Sequence, residues 1–352
     1  MTNQDVVSPA PSAPARPPVM ADVARAAGVS HQTVSRVLNG FQWVAEPTRL
    51  RVMEAVERLG YRRNMAARAL ASNRTNVIGV VVVNPNLFGP SGALLGIEQA
   101  AREAGYWVSV ASLARVDAAH MTAAVDHFRD QGVDGTVVIA PNQLALDASA
   151  AAVGSSPAVM LTASASDAHP FPSVDIDHEA GARLAVGHLI GLGHQRIAHF
   201  AGPRVEFHAQ CREQGWRVML KRHGLKPGPL LRGSWEPDAG YQLARALVDR
   251  PGERPTAVFV ANDLAAIGAL RGFAEAGWRV PEDISVVGFD DVPGVGQLRP
   301  PLSTVRQDLS ELGRQAFGLL LGVIGGQAEP GHLALPPQLV VRDSSGPAPA
   351  AS

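Results

Sequence analysis

A single cysteine, Cys211, stands in a chain of 352 residues. No intrachain disulfide can form and no cysteine-based metal cage can be built, so a reducing cytoplasm is the expected compartment. No stretch approaches the roughly 18 apolar residues that a membrane span needs. The opening MTNQDVVSPAPSAPARPP has no apolar core of the kind an export signal carries, so neither secretion nor membrane insertion is expected. Catalytic signatures are missing as well: there is no H-E-x-x-H, no P-loop and no G-x-S-x-G. Gly191-Leu192-Gly193 has part of a dinucleotide fingerprint, but it ends a helix ahead of a strand, the reverse of the required order. The eleven histidines are scattered along the chain without metal-ligand spacing. The expectation is a non-enzyme with no cofactor and no metal.

Aromatic residues are few, 5%, and charged ones 18%, beside 46% hydrophobic. That is the make-up of a folded globular chain long enough for two or three units. The formal net charge of -1 hides an uneven distribution. Between Arg16 and Asn76 there are ten arginines, no lysine and four acids, an excess of six positive charges that leaves seven negative ones for the remainder. A basic module on an acidic body is what attraction to phosphates requires, because counterion release acts at the contact face.

Residues 1–18 are rich in Pro, Ala and Ser without periodicity and are expected to form a disordered tail. From Val19 the pattern is helical. Val23, Ala24 and Ala27 share a face, Gly28 interrupts, and Ser30 is placed to cap a second helix, His31 to Leu38. A third helix carries Pro47 in its first turn, Leu50, Met53, Val56 and Leu59 on one face, and Gly60 at its end. Asn64 to Ala71 reads as a short helix with little of its own to pack on. From Val77 onward, apolar strand-like runs (VIGVVVV, WVSV, GTVVIA, AVML, IAHFA, TAVFVA, ISVVGF) alternate with helical patterns. Such runs imply parallel sheets covered on both faces, in two sets, with a ligand cleft at the strands' carboxyl ends. The terminal DSSGPAPAAS has no heptads and reads as a free tail.

In DVARAAGVSHQTVSRVLNG the residue types suit a helix-turn-helix. Small Ala24 permits close helix approach, Gly28 makes the turn, and Val23, Val29, Val34 and Val37 join the helices. His31, Gln32, Ser35 and Arg36 then point outward at the start of a recognition helix, where Arg suits guanine and Gln suits adenine. In the larger part, Asn262 with Asp263, and Asp290 with Asp291, fall just past strand ends, where they can hydrogen-bond hydroxyls, and Trp235 offers a flat apolar face to a sugar ring. Asp263 is also placed to cap the following helix, and one of Asp290 and Asp291 to cap a turn.

The segment DVARAAGVSHQTVSRVLNG closely resembles the headpiece of the lac repressor (LacI/GalR) family. TRLRVMEAVERLGY, NMAARALA, VIGVVVV, GHQRIAHFAGP, VANDLAAIGAL, ISVVGFDD and PPLSTVRQDL extend the likeness over residues 19 to 343. The resemblance implies an all-α helix-turn-helix headpiece (19–63), a hinge helix and linker (64–76), and an α/β sensor (77–343). That sensor would be periplasmic-binding-protein-like (type I), with two doubly wound parallel-sheet subdomains, about 77–175 with 309–336 and about 176–304 with 337–343, followed by a tail at 344–352. It implies a homodimer on palindromic operator DNA. The DNA-contacting set becomes Ser30, His31, Gln32, Thr33, Ser35, Arg36, Asn39, Asn64, Ala67, Arg68 and Leu70, with Leu70 a minor-groove wedge. The effector set becomes Arg212, Trp235, Asn262 and Asp290, with Leu87, Phe88, Gln307 and Leu309 as further candidates. Thr162, Ile139 and Val83 stand where the family's namesake has an acidic, an amide and a hydroxyl contact, so half of a polar cradle is replaced. The implied function is repression of carbohydrate-utilisation genes, relieved by a sugar or glycoside. A regulator with a purine-like corepressor and, more remotely, a solute receptor are the alternatives.

Overall fold

The computed structural model describes residues 16–41, 43–62, 74–114, 116–163, 170–327 and 331–349. The chain divides into two units, Met1–Thr75 and Asn76–Ser352.

Among the described residues, the first unit holds three helices: α1 (Met20–Ala27), α2 (His31–Leu38) and α3 (Glu46–Leu59). Gly28, with φ of 65°, closes α1 in the left-handed conformation that a side chain resists. Ser30 Oγ accepts the Thr33 amide at 3.1 Å and starts α2 one residue later. Val23, Val34 and Val52 are fully buried, each contributing roughly 1.5–3 kcal/mol of apolar burial. Ala24, Ala27, Val37, Ala55 and Tyr61 complete this small core, with Val29, Val56 and Leu59 packed on it. One expectation fails here, because Leu50 is 61% and Met53 49% exposed. A strict three-residue spacing drifts about 60° per step around a helix of 3.6 residues per turn, so Leu50, Met53, Val56 and Leu59 span half the circumference. The buried stripe is Val52, Ala55, Val56 and Leu59 instead.

Among its described residues, the second unit contains two parallel sheets. The six-stranded sheet has the order β11-β5-β4-β3-β1-β2, built from β1 (Val77–Val83), β2 (Trp107–Leu113), β3 (Gly135–Ile139), β4 (Ala158–Leu161), β5 (Ser173–Ile176) and β11 (His332–Leu335). Helices α4 (Phe88–Glu103), α5 (Ala118–Gln131), α6 (Gln143–Val153) and α11 (Leu309–Ile324) cover its two faces. The four-stranded sheet has the order β7-β6-β8-β9, from β6 (Ile197–Ala201), β7 (Leu230–Arg232), β8 (Ala257–Val260) and β9 (Ser285–Val287). It is covered by α7 (His178–Gly191), α8 (Phe207–Arg222), α9 (Pro237–Val248) and α10 (Asp263–Glu275). A short antiparallel pair, β10 (Thr304–Arg306) with β12 (Gln338–Val340), stands beside this second lobe. The chain therefore passes between lobes three times, at 176–178, 306–309 and 335–338. Strands β5 and β11 and the β10–β12 pair were not expected from the sequence. SVDI is only four residues long with a buried Asp inside it, and β11 is mostly exposed, so neither reads as an apolar run.

Helices α9 and α10 approach backbone to backbone. A Cβ on Gly240 would strike the carbonyl of Ala265, and one on Gly268 the carbonyl of Pro237. Neither obstacle can rotate away, so Gly268→Ala is expected to destabilise the second unit by about 3 kcal/mol, at the upper end for overpacking. Urea unfolding monitored by circular dichroism checks this.

The C-terminal stretch is not the free tail the sequence suggested. Ser344 is fully buried, its amide bonded to Pro301 O at 2.9 Å and its hydroxyl to Val286 O at 2.7 Å. Ala348 N reaches Leu192 O at 2.9 Å. Small and hydroxylated residues that lack periodicity can still fill an extended groove beside β9, where their backbone supplies the hydrogen bonds.

Candidate functional site

In the first unit, His31, Gln32 and Arg36 are exposed on α2, and no hydrogen bond or ion pair holds their side chains among the described residues. Ser30 and Thr33 share a hydroxyl contact of 2.9 Å, and Asn39 Nδ2 donates to Ser35 Oγ at 3.3 Å. These four therefore stiffen the two ends of α2, while the three free side chains are available to a groove. Asn64, Ala67, Arg68 and Leu70 lie outside the described residues.

In the second unit, the carboxyl ends of the strands of both sheets face a cleft holding about 800 Å³ of empty space, open solvent at its mouth included. All eight effector candidates read from the sequence line it: Arg212, Trp235, Asn262, Asp290, Leu87, Phe88, Gln307 and Leu309. The lobes also touch across it, where Phe207 N donates to Pro141 O at 2.9 Å and Leu87 packs against the Trp235 cluster. One wall is apolar, with Val83, Ile139, Leu161 and Leu309. Two of the three positions noted as altered, Val83 and Ile139, are on it, whereas Thr162 is fully buried and outside the lining.

The opposite wall is organised around Arg212, which is 4% exposed. Its guanidinium donates to Ala261 O and to His178 Nδ1 (3.4 and 3.2 Å), lies 3.5 Å from Asp290 Oδ1 and stacks 3.8 Å from the Phe289 ring centre. Gln307 Nε2 donates to Asp290 Oδ1 at 2.6 Å. Asp290 has φ of 119°, a conformation a non-glycine residue holds only when its surroundings enforce it, and such strain gathers at functional sites. Trp235 is pinned edge-on by its indole N–H to Glu206 Oε2 at 2.8 Å.

The expected cap of α10 is corrected. Asn262 Oδ1 accepts the Ala265 amide at 3.1 Å and its Nδ2 donates to Trp235 O at 3.0 Å. Asn262, not Asp263, is the N-cap, and much of its hydrogen-bonding capacity is already committed. Asp263 is fully buried and accepts from Thr304 Oγ1 (2.6 Å) and Val292 N (3.0 Å). Asp291 joins Arg306 (2.7 Å) and Arg342 (2.6 Å), which fixes the loop after β9.

Burial pushes the Asp290 carboxyl up to about 6, although Arg212, His208 and Gln307 pull it down. Burial and the neighbouring Asp290 charge raise Asp263 as well. A hydroxyl donated to Asp290 prefers the ionised form, so binding lowers its pKa and releases protons. Effector affinity is therefore expected to rise with pH through about 6 and to level off above it. Calorimetric titrations from pH 5 to 8 check the sign.

Wall residues missed by sequence reasoning include Asp175, His178, His208 and Glu206. His208 Nε2 lies 2.9 Å from Asp175 Oδ2, His178 Nε2 lies 3.5 Å from Asp175 Oδ1, and the two imidazoles are 4.3 Å apart. Burial pushes Asp175 up, yet the adjacent histidines outweigh it and hold the carboxyl well below its usual range. The trio has the composition of a metal site, but the tautomer opposes one. Guanidinium nitrogens only donate, so His178 Nδ1 is the acceptor, and a ring that burial keeps neutral, its pKa near 3, carries its hydrogen on Nε2. A metal on Nε2 would need Nδ1–H facing an acceptor, and here Nδ1 faces donors. No sequence spacing announces this trio: Asp175 and His178 flank a crossover and His208 begins a helix beyond β6.

Comparison with known proteins matches two parts of the chain. Bacterial regulatory proteins of the lacI family match residues 19–64, and the periplasmic binding protein-like domain matches 186–345. The chain is 38% identical over 334 residues to the lactose operon repressor of Escherichia coli (strain K12), covering 94% of this chain and 91% of that one. It is 36% identical over 344 residues to the HTH-type transcriptional regulator CelR of Thermobifida fusca, covering 94% and 98%. The lac repressor dimer bound to operator and the anti-inducer ONPF superposes with a TM-score of 0.85 at 38% identity, over 94% of this chain and all of that one. The CelR–cellobiose complex gives 0.69 at 33% identity, over 93% and 99%.

Proposed function

We propose, from the premise that this chain belongs to the lacI family of bacterial regulatory proteins, that it represses carbohydrate-utilisation genes and is released from its operator by a sugar or glycoside. It is a DNA-binding transcriptional regulator. His31, Gln32 and Arg36 read base edges in the major groove, while Ser30, Thr33, Ser35 and Asn39 hold α2 in register against the backbone. The observation that carries the effector reading is the divided cavity. One wall is apolar, and the other sets Asp290, Gln307 and Arg212 beside the Trp235 ring, which suits a ring with hydroxyls on its edge and an apolar face. The relative solved with cellobiose supports the same class.

Two copies bind together on this reading. Leu95, Trp107 and Val110 leave large apolar surface exposed along the edge strand β2 and neighbouring α4, a face that a second protomer would cover. Selection from a random duplex library with the purified full-length chain tests the DNA side. Enrichment of a palindrome supports the reading; enrichment of nothing, or of a single unrepeated half-site, contradicts it. No described helix is long and apolar enough to cross a membrane.

A further inference from the structure

The polar wall is rich in hydrogen-bond acceptors and poor in free cations. Among the described residues, three carboxylates line the cavity, those of Asp175, Glu206 and Asp290. Asp290 is 7% exposed, and its Oδ2 makes no hydrogen bond among the described residues. Glu206 Oε2 takes the Trp235 indole and leaves Oε1 without a hydrogen bond among the described residues. Among the described residues the one guanidinium lining the cavity, Arg212, is turned onto Ala261 O, His178 and Asp290, so its charge is matched before any ligand arrives. His208, two residues into α8, points Nε2 at Asp175, which fixes the ring's orientation.

We propose that Asp175, held in place by His208, and Glu206 form an acidic, hydroxyl-accepting subsite, beside the Arg212–Asp290 pair, that admits uncharged sugars and rejects phosphorylated or acidic ones. The inference rests on the carbohydrate reading above and narrows it. Hydroxyls supply donors to the oxygens left open, Asp290 Oδ2 and Glu206 Oε1. A phosphate or carboxylate would bring further acceptors and negative charge against carboxylates inside a cleft where water screens them weakly.

Calorimetric titration of the full-length chain with matched pairs tests it: glucose with glucose 6-phosphate and glucuronate, galactose with galactose 6-phosphate and galacturonate, and cellobiose and lactose as neutral disaccharides. At least one neutral sugar is expected to bind, with any charged counterpart at least roughly tenfold weaker. In an Asp175→Asn/Glu206→Gln double variant the gap narrows because the anion gains affinity, a change that a merely damaged fold does not produce. Binding of a phosphorylated or acidic sugar as tightly as its neutral partner overturns the proposal and leaves the carbohydrate reading standing. A neutral preference that the double variant leaves untouched overturns the assignment to these residues. Binding of no sugar of either kind overturns the carbohydrate reading, and this inference with it.

Discussion

Replacing Arg212 with alanine is expected to abolish the response to the effector, lowering its affinity roughly 100-fold or more. Loss of a charged hydrogen-bonding partner in a dry site costs about 3–5 kcal/mol when its counter-charge stays buried. Asp290 would be that counter-charge: it is held at 3.5 Å from the guanidinium, and without it burial pushes its carboxyl further up and neutralises the acceptor. The stack on Phe289 and the bonds to His178 are lost together, so the wall loosens as well. Arg212→Lys is expected to recover little, because an ammonium cannot span Ala261 O, His178 and Asp290 in one plane. Titration of the operator-bound protein with sugar reads the loss of response, and urea unfolding reads the accompanying loss of stability in the second unit. A variant that still responds normally would remove Arg212 from the effector site.

The second large effect concerns Arg36. Its side chain is exposed, unbonded among the described residues, and two turns into the unit's best-capped helix. Arg36→Ala is expected to weaken operator binding by about 1–3 kcal/mol, roughly tenfold to 100-fold, and to relax preference at one base pair per half-site. The specific readout is that relaxation. If Arg36→Ala instead weakened all sequences equally and only lowered the salt dependence, Arg36 would be a phosphate contact. Arg25, paired with Asp22 at 3.3 Å on α1, is the comparison residue, and its replacement is expected to show only the salt effect.

How much of this was legible in the sequence follows from the physics of each signal. The helix-turn-helix was readable because its constraints are local: Gly28 in a left-handed turn, Ser30 capping α2, and valines meeting across a short loop. Long buried strands such as Val77–Val83 were readable because a strand covered on both faces is a continuous apolar run. Strand β5 was not, since its four residues include a carboxylate whose reason for burial lies 33 residues away in His208. The same distance hid the Asp175–His208 pair, although strand ends pointed to Asn262 and Asp290. The ordering of Ser344 to Ala348 was equally illegible, because backbone groups make several of its bonds and periodicity carries no information about them. On α3, a spacing of three mistook a drifting set for a face.

On the proposed reading one chain reads DNA and senses a small neutral molecule, and the two events are linked. Coupling is reciprocal, so a ligand that loosens the DNA grip must itself bind less tightly to the operator complex by the same factor. The most direct measurement is fluorescence anisotropy of the full-length protein on its selected palindromic operator, at fixed salt, titrated with neutral mono- and disaccharides and with purines. Release by a neutral sugar is expected. Tightening of the complex by a purine, with no sugar having any effect, would contradict it and identify a corepressor-controlled regulator instead.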